Sequence, residues 1–186
     1  MSQGITDLSQ FSNSWYKPGH PFKRFLWIVV SAVFFRHSLC LGSLQKRIVL
    51  RLFGARIGKK VVIKPSVQIK YPWKLEIGDY SWIGEHCWID NLGQVKIGAH
   101  CCLSQRSMLL CGNHNYTKTT FDLMVGDITL EDGAWLGAGS MVGPGVTMGS
   151  HSVLTAFSMA SADLSPYAVY RGNPAIKVGE RRILAP

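Results

Sequence analysis

Ile57-Gly58-Lys59-Lys60-Val61-Val62-Ile63-Lys64-Pro65-Ser66-Val67-Gln68-Ile69 puts an aliphatic residue at 57, 63 and 69, every sixth position. The spacing returns at 77, 83 and 89, at 97, 103 and 109, at 130, 136 and 142, and at 148 and 154. A period of six is neither the 3.6 of a helix nor the 2 of a half-buried strand. It predicts a parallel β-helix of about five coils, each with three short faces. Four residues after most anchors stands a small or β-branched side chain, such as Val61, Val67, Ser81, Cys87, Cys101, Ser107 or Ala134, as a second inward position. Glycine follows the anchor directly at 58, 78, 84, 98, 137, 143 and 149, where it is expected to turn the corners through unusual backbone angles.

The spacing lengthens only after every third anchor, between Ile69 and Ile77, Ile89 and Ile97, and Leu109 and Leu130. All three insertions therefore leave one edge of the prism. Adjacent coils lie about 4.8 Å apart, so Tyr71, Pro72 and Trp73, then Asp90, Asn91 and Gln94, then the loop 111–127 stack as one functional edge. Residues 1–56 are expected to form an arm and a helical extension, 57–164 the solenoid, and 165–186 a tail. The exposed ends of such a coil need a cap or a partner, which favours an oligomer.

The chain has 186 residues and a net charge of +9, with 47% hydrophobic residues, enough for a packed core. No nucleic-acid-binding motif accompanies the charge, so no nucleic-acid partner is expected. Five cysteines, Cys40, Cys87, Cys101, Cys102 and Cys111, lack paired spacing and read as thiols of a reducing, cytoplasmic compartment. The apolar run Phe25 to Phe35 begins late, is followed by Arg36 and His37, and is too short to span a bilayer, so neither a cleavable signal nor a membrane crossing is expected. Residues 22–53 read first as helices capping the open coil. An amphipathic, basic pattern over 44–53 leaves peripheral contact with the inner face of a membrane as the alternative.

His114 opens the long loop, on the edge that carries Asp90 and Asn91 one coil below. An imidazole is neutral enough near pH 7 to take a proton, as a general base must. Tyr71 and Trp73 fit equally aromatic faces for a ligand and packing under the N-terminal helices, and Tyr116 lies in the loop. His20, His37, His86, His100 and His151 lack such a context and read as structural or solvent-facing. Asp90 and Asn91 fit equally a substrate-binding role and a corner-turning one.

The strings Leu52-Phe-Gly-Ala-Arg-Ile-Gly58, Tyr71-Pro-Trp-Lys-Leu-Glu-Ile-Gly-Asp79, Trp88-Ile-Asp-Asn-Leu92, Gly112-Asn-His-Asn-Tyr116 and Gly172-Asn-Pro-Ala175 resemble the hexapeptide-repeat acyltransferases, in particular the colanic-acid-type exopolysaccharide O-acetyltransferases. The resemblance implies a left-handed β-helix and a homotrimer with acetyl-CoA in the groove between subunits. It implies His114 as the base that deprotonates an acceptor hydroxyl while it attacks the thioester, with no acyl-enzyme. Trp135, Gly137, Ala138, Ala156 and Ser161 match positions along the coenzyme. The relatives' lysine before Asp163 is Ala162 here, which leaves the phosphates to Lys177, Arg181 or Arg182. The zinc-binding carbonic anhydrases of similar fold need a histidine where this chain has Thr119, so no metal is expected. Serine, free-sugar or antibiotic acceptors, and a non-catalytic scaffold, are the competing functions.

Overall fold

The computed structural model describes residues 4–35 and 42–185. Arg36, His37 and Cys40 lie outside the described residues. From Arg56 onward the chain winds as a left-handed parallel β-helix with strands of two or three residues per face. Arg56–Ile57, Leu75–Ile77, Val95–Ile97, Ile128–Leu130 and Thr147–Met148 form the first face. Val62–Ile63, Trp82–Ile83, Cys102–Leu103, Trp135–Leu136 and Val153–Leu154 form the second, and Gln68–Ile69, Trp88–Asp90, Met108–Leu110, Met141–Val142 and Met159–Ala160 the third. The register is in phase throughout: Ile57 pairs with Ile77, Ile63 with Ile83 and Ile69 with Ile89.

The six-residue anchors are all buried, and so are Val61, Val67, Ser81, Cys87, Cys101 and Ser107 at the second inward position. Five complete coils are followed by a sixth, begun where Leu164 bridges Met148. The winding runs past the expected boundary at 164. Ala168–Arg171 extends the second face, and Ile176–Glu180 returns antiparallel along it.

The glycine expectation needs correcting. Gly58, Gly78 and Gly137 do not have positive φ. The left-handed corner sits two residues later, at Lys60, Ser66, Tyr80, His86, His100, Arg106, His151 and Phe157, with φ between 50° and 60°. From the second coil onward the N–H at these corners turns back to the preceding coil, as when Tyr80 donates to the Lys59 carbonyl at 2.9 Å and His100 to that of Asp79 at 2.8 Å. Glycine after the anchor answers a different constraint: a Cβ on Gly137 would lie 2.4 Å from the Ala156 nitrogen of the next coil.

Strand N–H groups donate forward, so the carbonyls of the first coil have no coil below to satisfy them. Two helices do so: α1, Pro21–Phe34, and α2, Ser43–Leu52. Proline at the first position and His20 as N-cap start α1. Side-chain donors serve each face: Arg51 Nη2 to the Ile57 carbonyl at 2.6 Å, Lys46 Nζ to that of Lys64 at 2.9 Å with the Ser43 hydroxyl to that of Ile63 at 3.3 Å, and Trp27 Nε1 to that of Ile69 at 2.8 Å. The capping expectation for this segment stands. The orientation of α2 does not follow the sequence pattern: Lys46 is buried, while Leu44, Ile48 and Leu52 are exposed. An unsatisfied row of carbonyls outweighs the usual preference of an ammonium for water.

Candidate active site

The insertion at 111–127 is an antiparallel ribbon, with Gly112–His114 paired to Leu123–Val125 and His114 opposite Leu123. Successive positions of a ribbon face opposite ways. His114 and Asn113 therefore serve different sides. The His114 Nδ1 lies 2.9 Å from the Phe121 carbonyl oxygen, and its ring stacks on that of Phe121 with centroids 4.5 Å apart. Phe11, from the N-terminal arm, approaches the imidazole at 5.7 Å. A carbonyl only accepts, so in the neutral ring Nδ1 carries the proton and Nε2 keeps the lone pair. This is the tautomer of a ring able to take a proton through Nε2.

His114 lines a cleft of about 420 Å³ together with Asp90, Lys70, Tyr71 and Leu92 from the coil edge. The arm closes it with Phe11, Asn13, Tyr16 and Pro18, and α1 adds Arg24. The Asp90 carboxylate is held by Lys70 Nζ at 2.8 Å. The Tyr16 hydroxyl donates to the Leu92 carbonyl at 2.8 Å, and Lys74 Nζ reaches both that carbonyl and the phenol oxygen. Burial raises the pKa of the Tyr16 phenol and lowers that of the Lys74 ammonium. The sequence reading assigned the arm no part in the site and missed its contribution. The available signal was three aromatics, Phe11, Trp15 and Tyr16, in an otherwise polar stretch.

The three insertions do share an edge, but their residues divide by role. Asn91 is wholly buried; its amide donates to the Tyr71 carbonyl at 2.6 Å and accepts from the Tyr71 nitrogen at 2.9 Å. It shapes the cleft through Tyr71 and has no free group for a substrate. Trp73 donates to the Pro18 carbonyl at 3.1 Å and packs on Tyr71 at 5.1 Å, pinning the arm. Tyr116, at the ribbon tip, is 81% exposed and outside the cleft. Asp90 is the expected acceptor residue that stands beside His114.

The residues matched to the coenzyme fall elsewhere on the chain. Trp135, 44% exposed, donates to the Ser104 hydroxyl at 3.0 Å. Ser104 lines a groove of about 500 Å³ with Trp82, Gly84 and Cys102. Gly137, Ala138 and Ala156 follow at the corner after this second face, where Gly137 underlies Ala156. Ser161 faces a pocket of about 320 Å³ with Asn113 and Met124, on the other side of the ribbon from His114. Arg181 acts as a staple within the coil: its Nη1 donates to the Gly133 carbonyl at 2.8 Å and that of His151 at 3.3 Å. Lys177 is paired with Glu180.

The other described histidines serve the scaffold. His20 caps α1, His100 stacks on Tyr80 at 5.1 Å, and His151 on Tyr167 at 4.7 Å. Cys87, Cys101 and Cys111 are buried and free, and burial pushes the Cys101 and Cys111 thiols up to about 11. They are poor thiolates near neutral pH.

A left-handed coil of six-residue repeats is the fold of a class, the hexapeptide-repeat acetyltransferases. The solved structures agree on the fold. A hexapeptide-repeat acetyltransferase of Vibrio cholerae in complex with acetyl coenzyme A superposes with a TM-score of 0.77 at 19% identity, over 87% of this chain and 88% of that one. A galactoside acetyltransferase in complex with coenzyme A gives 0.78 at 23% identity, over 87% and 82%. No protein-family model matches the chain. In sequence it is 42% identical over 178 residues to WcaF of Escherichia coli (strain K12), named as a colanic acid biosynthesis acetyltransferase, covering 95% of this chain and 98% of the relative. The chain belongs to the WcaF-like family of acetyltransferases.

Proposed function

We propose that this protein transfers an acetyl group from acetyl-CoA to a sugar hydroxyl of an exopolysaccharide or its precursor, with His114 as general base. The observation that carries this is the contact of His114 Nδ1 with the Phe121 carbonyl, 2.9 Å away, in a cleft large enough for a sugar residue. It favours Nε2 as the proton acceptor. The acceptor hydroxyl gives its proton to Nε2 while its oxygen bonds to the thioester carbon. The tetrahedral intermediate then collapses, the C–S bond breaks, and the departing thiolate takes the proton back from the imidazolium.

Asp90 and Lys70 supply polar contacts for the sugar, and Tyr71, Phe11 and Tyr16 the apolar walls. Within one protomer, Trp135, Gly137, Ala138 and Ala156 do not line the His114 cleft. This favours a homotrimer in which the donor groove of one copy meets the ribbon of the next. The donor is a cytoplasmic metabolite, and the reaction belongs on that side of the membrane.

The test is release of coenzyme A from acetyl-CoA in the presence of exopolysaccharide fragments, comparing wild type with His114→Ala. Loss of about 10²–10⁴-fold in kcat with the oligomer intact supports the assignment. Undiminished turnover in a well-folded His114→Ala protein removes it.

A further inference from the structure

We infer that the outward face of the helical cap is a docking surface for an anionic lipid bilayer. The inward sides of α1 and α2 are engaged with the first coil, through Trp27, Lys46 and Leu50. What remains outside is apolar. Phe22, Phe25, Leu26 and Val29 are 42–67% exposed, and their spacing of three and four residues puts them on one stripe of α1. Leu44, Ile48 and Leu52 form a second stripe at intervals of four on α2, 47–80% exposed. A helix apolar on its outer face normally has a partner.

Charge selects the partner. Residues 1–56 hold eight Lys and Arg against one Asp, seven of the nine net positive charges of the chain; Lys46 and Arg51 are turned to the first coil and Arg56 pairs with Glu76, so it is the net positive field of the segment that the lipid meets, not these three side chains. Lys23 and Arg24 lie within the first turn of α1, at the edge of the apolar stripe, Lys23 over the Trp73 ring at 4.8 Å and Arg24 in the lining of the His114 cleft. Basic residues flanking Phe and Leu suit the headgroup region of an anionic membrane, which attracts each cation and accepts the apolar stripe. A second copy would bring the same positive charge against itself. At 14 residues α1 is about 21 Å long, short of the ~30 Å hydrocarbon core, so the contact lies on the surface and does not span it. Arg24 also lines the His114 cleft, so a docked molecule holds that cleft beside the bilayer. The docking itself does not rest on the proposed acceptor.

The full-length protein is floated with vesicles of phosphatidylglycerol and phosphatidylcholine, and with phosphatidylcholine alone. Binding is expected to be at least about tenfold stronger to the anionic vesicles, and to weaken in high salt. The double variant Phe25→Glu/Leu26→Glu, and separately Ile48→Glu on the other helix, are expected to lose at least about tenfold in flotation while keeping oligomer size and coenzyme A release with soluble fragments. Wild type that stays unfloated on anionic vesicles, or Ile48→Glu that floats as well as wild type, overturns the inference. So does a change of oligomer size in either variant, which assigns the face to contacts between copies.

Discussion

The Nδ1 of His114 meets the backbone carbonyl of Phe121 at 2.9 Å across the mouth of a single β-ribbon, and the two rings lie parallel within 10°. The partner that fixes the tautomer is a main-chain atom seven residues away, set by the ribbon itself. Phe121 holds it from a left-handed conformation, φ 50°, that a bulky side chain rarely adopts. Replacing Phe121 with Gly keeps the carbonyl but frees the ring position. We expect kcat to fall by roughly tenfold, with KM for acetyl-CoA unchanged, because the loss is in orientation of the imidazole. Steady-state kinetics decide this, and a change confined to KM for acetyl-CoA would contradict it.

The arm contributes through the Tyr16 hydroxyl, which ties it to the Leu92 carbonyl. Tyr16→Phe removes one partly buried hydrogen bond, worth about 1 kcal/mol. The expected result is a KM for the carbohydrate raised by about fivefold, with kcat little altered. Equal acceptor saturation curves for the two proteins would show that the arm takes no part.

The cap predicts a stability effect separate from catalysis. Lys46 is 1% exposed and reaches the carbonyls of Ile63 and Lys64. Lys46→Met fills similar volume but takes the ammonium donor from the Lys64 carbonyl, while the Ser43 hydroxyl still reaches that of Ile63, at a cost of about 1–3 kcal/mol in chemical denaturation. A variant as stable as wild type would mean that water reaches these carbonyls.

Gly137→Ala brings a Cβ to 2.4 Å from the Ala156 nitrogen, whereas Gly179 has nothing within 4 Å of the corresponding position. The first substitution is expected to cost several kcal/mol or abolish folding, and Gly179→Ala less than about 0.5 kcal/mol. Thermal melts of the pair settle the matter.

Burial raises the Cys101 thiol from its ordinary value of 9.0 to about 11. A raised folded value means that the folded state holds the proton more tightly. The stabilisation is complete below pH 9.0 and declines as pH rises through about 11. The melting temperature should fall across that interval, and Cys101→Ala should flatten the fall. An identical pH profile in the variant would assign the alkaline loss to other groups.

The coil was legible because its information is local and repeated. Most anchors from Ile57 to Leu154 meet another buried aliphatic anchor one coil away, so register needs no long-range code. The single edge bearing Tyr71, Asp90 and His114 followed by counting. Asn91 and Arg181 were not legible in this way. Both have the chemistry of ligands, and only the position of a main-chain group, the Tyr71 amide or the Gly133 carbonyl, turns each into a staple. The arm was less legible still, since residues 4–19 have no periodicity to follow.

The amino-acid order alone thus determined the winding, the three faces and the edge on which the histidine stands, because a six-residue period admits one way to bury its aliphatic side chains. The fold in three dimensions decided the tautomer of His114, the closing of its cleft by Phe11 and Tyr16, and the outward turn of Leu44, Ile48 and Leu52. Those depend on which carbonyls are left without donors once the coil is wound, a quantity that exists only after distant segments have met.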